Sequence, residues 1–206
     1  FFRNVFLIEE ATLRSLFEIL PWIFMIIIPA LTMGSLAEEK NEGTLEFLLT
    51  HPLSQAELIV GKFLGITTFF AFSLLFIFPL AWSLNRFGNL DWGQVFGQYL
   101  ASLFLSAVLV SLGIFISSFF SSQISAFLLS AIANFFLIIA GTEFFSNHFP
   151  LELSSFLEQL SASNHFNSMA RGVIDTRDVW YFLSLSAIFL GFTYLNLVKS
   201  KYGNRK

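Results

Sequence analysis

The length of its uncharged segments constrains this chain more than any other feature. Residues 92–142 contain no Asp, Glu, Lys or Arg, and residues 19–37, 63–85 and 179–198 are equally free of them. A helix needs about 20 mostly apolar residues to cross a hydrocarbon core roughly 30 Å thick. Backbone polar groups must be paired within lipid, so these segments must form helices. The sequence therefore predicts an all-α, polytopic membrane helix bundle.

Composition supports lipid as the solvent. Only 12% of the residues are charged, whereas soluble domains average about 25%. The 29 Phe residues are more than one core would need, so many of them should face acyl chains. Cysteine is absent, which excludes disulfides and thiolate chemistry.

Five spans are predicted within a single domain of residues 1–206. The polar run SSFFSSQ at 117–123 divides the longest uncharged segment into two. The spans are placed at about 19–37, 58–84, 95–117, 124–143 and 179–198. Four basic residues in the tail KSKYGNRK follow the last span and favour a cytoplasmic tail. An odd number of spans then places the 37–57 loop in the cytoplasm as well.

The 37–57 loop has the sequence AEEKNEGTLEFLLTHPLSQAE, and three local structural features can be predicted within it. Ser54 and Glu57 form an S-x-x-E capping box that predicts the start of the second span. Leu45, Leu48 and Leu49 are spaced i, i+3 and i+4, which predicts a short amphipathic helix on the membrane surface. Gly43 should interrupt the helix before it.

The acidic residues of this loop have three possible roles. Glu38, Glu42 and Glu46 are spaced i, i+4 and i+8, as metal ligands or acid–base carboxylates on one helical face would be. Hard cations need several converging oxygens, and no second acidic group joins them in the sequence. A solvated loop and a docking surface for a partner are the other readings, and the adjacent amphipathic helix favours docking.

The spans offer few polar candidates. Asn134 and Glu143 are possible pathway residues, although Asn134 equally suits helix packing. Small residues recur on one face of the third span, which predicts close packing within the bundle or between protomers, or a substrate path. That stripe comprises Ser102, Ser106, Gly113 and Ser117.

Residues 146–177 form the second large loop, predicted to hold two amphipathic helices at the outer interface. The loop contains two of the three histidines, His148 and His165, and these are interpreted as ordinary interfacial residues. The chain has no phosphate-binding loop and no nucleophile elbow. No catalytic residue or metal ligand is therefore assigned, and any energy source or catalytic centre is expected on another chain.

Two stretches together resemble the permease subunits of ABC-2-type transporters. The first is IIIPALTMGSLAEEKNEGTLEFLLTHPLSQAELIVGKFLG at 26–65, and the second is NHFNSMARGVIDTRDVWYFLSLS at 164–186. Within that family, the sequence of these stretches is most similar to the gliding-motility and copper-enzyme-maturation branch. The resemblance implies six helices with both termini in the cytoplasm. One helix is then expected to precede Phe1.

The resemblance also implies partners and a location. Two permease protomers would pair with two ATPase subunits in the bacterial inner membrane, exporting a substrate. ATP and Mg²⁺ would bind the ATPase, and no cofactor would bind this chain. The resemblance assigns the 37–57 segment to coupling with the ATPase. The candidate coupling residues are Glu38, Glu39, Lys40, Glu42, Gly43, Thr44, Leu45, Glu46, Leu48 and Leu49.

Two other functions remain open from the sequence. The first is a non-transporting mechanotransmitter, in which the same ATPase moves a periplasmic partner held by the 146–177 helices. The second is an intramembrane enzyme, which would need polar catalytic groups at one membrane depth. The spans offer Ser, Asn134 and Glu143 but no His or Asp.

Overall fold

The computed structural model describes residues 13–44, 54–86, 88, 90–140 and 159–203, with side chains described up to Lys199. The helices that lie wholly within these residues are α1 (Arg14–Thr32), α2 (Gly34–Asn41), α3 (Gln55–Leu75), α4 (Phe78–Asn85), α5 (Trp92–Ser117), α6 (Gln123–Ile139), α7 (Ala162–Ala170) and α8 (Thr176–Gly203).

The predicted all-α membrane bundle is confirmed. Four segments are long and apolar enough to cross a membrane, and α6 is a shorter apolar helix of 17 residues. The four segments are Arg14–Asn41, Gln55–Asn85, Trp92–Ser117 and Thr176–Lys199. The last three residues of the predicted span 124–143 lie outside the described part of the chain.

The central helix of the bundle is α5. In its most apolar window 72% of the residues are buried, against 11% in the segment that contains α3 and α4. It contacts α1, α3, α6, α7 and α8. Leu105, Val108, Leu109 and Ile114 on this helix are fully buried and form part of the main apolar core. A displacement of α5 would therefore disturb the packing of most of the other helices.

The bundle has two ends, a proximal end and a distal end, which are defined by the following described residues. The proximal end contains α2, the start of α3, the end of α5 and Lys199. The distal end contains Arg14, Arg86, α7 and the start of α8. At the distal end the backbones of α5 and the turn after α7 approach closely. A Cβ on Gly97 would lie 3.0 Å from the Cα of Gly172, which itself has φ +90°.

Two of the apolar segments are interrupted. The segment Arg14–Asn41 breaks at Met33, between α1 and α2, one turn after Pro29. Pro29 has no N–H to donate and its ring crowds the preceding turn, which favours a kink in the turn before Pro29. The segment Gln55–Asn85 breaks at residues 76–77, and Pro79 lies in the first turn of α4, where a missing N–H costs little.

Local predictions at the helix ends agree with the structure. Ser54 and Glu57 form the predicted capping box, with the Glu57 N–H donating to Ser54 Oγ (3.2 Å) and the Ser54 N–H to Glu57 Oε2 (2.8 Å). Gly43 has φ +71° and follows the end of α2, so it does interrupt that helix. A left-handed conformation of this kind favours glycine.

Large apolar side chains cover the outside of the bundle. Phe69, Phe72 and Phe76 are 55%, 63% and 85% exposed, and Trp180 and Leu195 on α8 are also exposed. Continuous apolar surface of this kind is unusual for a soluble monomer. It agrees with the expectation that many aromatic side chains face acyl chains.

Candidate functional site

The proximal end joins α2 to the central helix through one serine. Ser117 Oγ accepts hydrogen bonds from the backbone N–H groups of Leu36 (3.1 Å) and Ala37 (3.0 Å). The same hydroxyl donates to the carbonyl of Met33 (2.9 Å). The break at Met33 leaves backbone groups to be paired outside the helix ladder, and buried backbone groups require such partners. Ser117 therefore provides them from a neighbouring helix.

The next residue connects α2 with α8. The carbonyl of Ser118 accepts hydrogen bonds from Lys40 Nζ and from Asn196 Nδ2 (3.0 Å). Asn196 Nδ2 also lies 2.8 Å from Ser118 Oγ. The last carbonyls of a helix lack intrahelical partners, and here a cation from α2 and an amide from α8 meet one of them.

A partly buried ion pair connects α2 with α3. Lys62 Nζ lies 2.5 Å from Glu39 Oε1 and donates to the carbonyl of Ser35 (2.5 Å). The side chains of Lys62 and Glu39 are only 22% and 20% exposed. Partial burial of a charged pair makes its loss costly when one partner is removed. We call this whole contact set the α2 junction, comprising Met33, Ser35, Leu36, Ala37, Glu39, Lys40, Lys62, Ser117, Ser118 and Asn196.

The candidate coupling residues fall partly within the α2 junction. Glu39 and Lys40 belong to it, whereas Glu38 and Glu42 are exposed. Thr44 donates a hydrogen bond to the carbonyl of Glu39 (3.3 Å). Within the described residues, no three His, Asp or Glu side chains come together as metal ligands would. The other four candidates, Leu45, Glu46, Leu48 and Leu49, lie outside the described residues.

The small-residue stripe of the third span is entirely buried. Gly113 lies against α1, where an added Cβ would come within 2.8 Å of the Cβ of Thr32. Ser102 and Ser106 donate to carbonyls of their own helix. Ser117 does more than pack, since its hydroxyl belongs to the α2 junction. Sequence reasoning identified the position of Ser117 but missed this role.

Asn134 faces the inside of the bundle on α6 and is fully buried, as is Ser130 one turn earlier. Neither atom of the Asn134 amide has a hydrogen-bond partner among the described residues, and the Ser130 hydroxyl has none there either. Buried polar groups are normally paired, and Asn134 stays a prediction as a pathway residue. Glu143, the other pathway candidate, lies outside the described residues.

A second polar cluster lies at the distal end and was missed in the sequence. His165 Nδ1 lies 2.7 Å from Asp178 Oδ1, and its Nε2 lies 3.0 Å from the carbonyl of Gln159. The imidazole stacks on the Tyr181 ring with centroids 3.9 Å apart, and Tyr181 donates to the carbonyl of Leu160 (2.6 Å). This distal clamp of His165, Asp178 and Tyr181 ties α7 to the start of α8. The 13-residue spacing of His165 and Asp178 gives no periodic signal.

Replacing His165 by phenylalanine is expected to lower the melting temperature of the detergent-solubilised protein. The new ring can still stack on Tyr181, but Asp178, which is only 6% exposed, loses its partner. A buried charge without a partner costs about 3 kcal/mol. The double variant His165→Phe/Asp178→Leu should recover most of the loss, because both polar groups are then gone. Equal melting temperatures for the wild type and the single variant would contradict a clamp.

The fold is that of a multi-pass membrane protein, and the α2 junction and the distal clamp both lie near helix ends. The chain belongs to the ABC-2 family of transporter proteins, whose family model matches residues 5–200. It is therefore a membrane permease component. No curated protein and no solved structure matched the chain. The match does not separate branches of the family, so the resemblance to the gliding-motility branch stays a prediction.

Proposed function

We propose that this chain is the permease subunit of an ATP-driven exporter, with ATP and Mg²⁺ bound by a separate ATPase subunit. Two permease protomers and two ATPase subunits would form the working complex. The segment of residues 37–57 would receive the motion of the ATPase. Glu38, Glu39, Lys40, Glu42, Gly43 and Thr44 lie in its described part, and Leu45, Glu46, Leu48 and Leu49 continue it.

The α2 junction is the observation that carries this proposal. α2 directly precedes residues 45–53, and it is bound to α3 through Lys62, to α5 through Ser117 and to α8 through Ser118 and Asn196. A force applied to residues 45–53 would thus reach three other helices through hydrogen bonds. One of these is α5, which contacts most of the bundle.

The charges around α2 suit a basic partner surface. Lys40 on α2 and Lys62 on α3 are occupied inside the protein, Lys62 with Glu39 and Lys40 with the carbonyl of Ser118. Glu38 and Glu42 are exposed and keep their negative charges toward solvent. Complementary charge at the rim of an interface favours encounter and fixes its register. We infer that basic residues of the ATPase face these carboxylates.

We expect Leu45, Leu48 and Leu49 to fill an apolar groove on the ATPase subunit. Replacing Leu48 by aspartate should therefore weaken binding to that subunit about tenfold, since a charge would enter the groove. Permease would be purified from its native membranes with its ATPase, and retained ATPase and ATP hydrolysis in liposomes would be measured. Leu48→Met serves as the matched control because this swap conserves volume. It should behave as the wild type.

Two results would contradict the proposal. The first is that wild-type permease purifies without an ATP-hydrolysing subunit, since the proposed energy source would then be absent. A Leu48→Asp variant that keeps normal ATPase retention and normal hydrolysis would exclude the short helix predicted around Leu45, Leu48 and Leu49 as the docking element. The amount of permease in the membrane should be equal in all variants, which separates loss of docking from loss of folding.

A further inference from the structure

A cavity of about 270 Å³ opens at the distal end, far from the α2 junction. It lies between α1, α5, α6 and α7, and its lining mixes guanidinium, carboxylate, amide and hydroxyl groups with aromatic rings. The residues on which the inference depends are Arg14, Phe17, Glu18, Trp22, Gln98 and Arg171. Pockets that hold drug-sized ligands have volumes of roughly 300–1,000 Å³. The cavity is therefore of a size for the polar headgroup of a larger molecule.

The side-chain amide of Gln98 indicates which hydrogen-bonding groups an occupant of the cavity would need. Gln98 lines the cavity, is 1% exposed, and has no hydrogen-bond partner for Nε2 or Oε1 among the described residues. Its amide nitrogen needs an acceptor and its carbonyl oxygen needs a donor. A hydrocarbon offers neither group, and a simple anion without hydrogen offers only an acceptor. Water and a hydroxyl-bearing group both offer the two, and only the hydroxyl-bearing group can belong to a larger, charged molecule.

The charges of the lining determine the charge of the occupant. Arg14 Nε is paired with Glu18 Oε1 at 2.8 Å, which leaves this pair neutral. Arg171 is exposed at the cavity and adds one positive charge. Guanidinium groups bind phosphate through paired N–H donors. The described lining is therefore matched by a single negative charge.

The surroundings of the cavity suit an amphiphile. Phe17 forms an apolar wall, and Trp22 is 46% exposed beside it. Tryptophan is enriched where membrane meets water. The exposed side chains of Ile19, Ile23 and Ile26 continue from Trp22 along α1, so acyl chains can follow this face while the headgroup stays in the cavity.

We propose that the distal cavity binds the hydroxyl-bearing, singly charged phosphate headgroup of a lipid, with Gln98 and Arg171 as its principal contacts. The site is separate from the proposed ATPase coupling and does not depend on it. The same chemistry is present in the free headgroup after its chains are removed. The experiment must therefore compare the intact lipid with that fragment.

Binding would be measured on the full-length protein in detergent by native mass spectrometry. The probes are dioleoyl-phosphatidylglycerol, dioleoyl-phosphatidylcholine and glycerophosphoglycerol, the deacylated headgroup. Phosphatidylglycerol should bind about tenfold more tightly than either of the others, because only it combines the charge, the hydroxyls and the chains. Arg171→Gln should reduce its binding about tenfold. Arg86→Gln, which changes an exposed distal arginine outside the cavity, should change it less than twofold.

Gln98→Leu should also reduce binding about tenfold without lowering the melting temperature, since leucine removes the buried unpaired amide. Arg171→Gln tests the same site on an exposed side chain if Gln98→Leu fails to fold. Equal binding of phosphatidylglycerol and phosphatidylcholine would overturn the proposal. So would equal losses in Arg171→Gln and Arg86→Gln, or a free headgroup that binds as tightly as the lipid.

Discussion

Replacing Gly113 by alanine is expected to lower the free energy of unfolding of the bundle by about 2 kcal/mol, the usual cost of overpacking a core. The new Cβ would lie only 2.8 Å from the Cβ of Thr32. Rotation of the threonine side chain cannot move its own Cβ, so α1 and α5 must separate. Because α5 is the central helix, this separation should loosen the whole core. Thermal unfolding in detergent measures the loss.

Gly191 on α8 provides the matched control. An added Cβ there meets no atom within 4 Å, and alanine has a helix propensity about 1 kcal/mol better than glycine. Gly191→Ala should therefore be neutral or stabilising. The double variant Thr32→Gly/Gly113→Ala should recover part of the loss, because it removes the Cβ on the opposing helix. If Gly113→Ala and Gly191→Ala unfold at the same temperature, close packing at Gly113 is not needed for stability.

The fold was predictable because lipid leaves few choices. Uncharged segments of 20 residues must be helices, and their approximate positions follow from the charges that flank them. The breaks were harder to locate. A kink near Pro29 follows from the proline itself, but the break at Met33 depends on Ser117, which is distant in the sequence and accepts hydrogen bonds from the freed N–H groups. Periodicity within one helix contains no information about such a partner.

The candidate site was predictable only in part for the same reason. The acidic residues near α2 and the glycine after it are local features, and the sequence showed them. The pairing of Glu39 with Lys62 joins residues on two different helices, and the pairing of His165 with Asp178 crosses a turn. Each depends on how helices approach one another. Single-sequence patterns describe faces of helices but not which faces meet.

Replacing Ser117 by alanine should have the other large effect. The variant leaves the N–H groups of Leu36 and Ala37 and the carbonyl of Met33 without their present partner. An orphaned buried group costs about 1–3 kcal/mol, so we expect a loss of about 3 kcal/mol in the free energy of unfolding. If α2 instead realigns with α1 to pair these groups, the hydrogen bonds that join its first turn to Ser117 on α5 are still lost. In either case, less of the motion of the proposed ATPase subunit should reach α5.

Ser111→Ala separates this effect from the general cost of removing a buried hydroxyl. Ser111 lies on the same helix and is fully buried, and its hydroxyl donates to the carbonyl of Val108 within that helix (2.7 Å). Its loss should change stability by less than about 1 kcal/mol, the net value of one ordinary hydrogen bond. In the proposed complex with an ATPase subunit, the Ser117→Ala permease should move less substrate for each ATP that the partner hydrolyses, while Ser111→Ala should match the wild type. Equal transport per ATP in both variants would exclude Ser117 as the connection between α2 and the core, because Ser117 bonds to α2 whereas Ser111 bonds within its own helix.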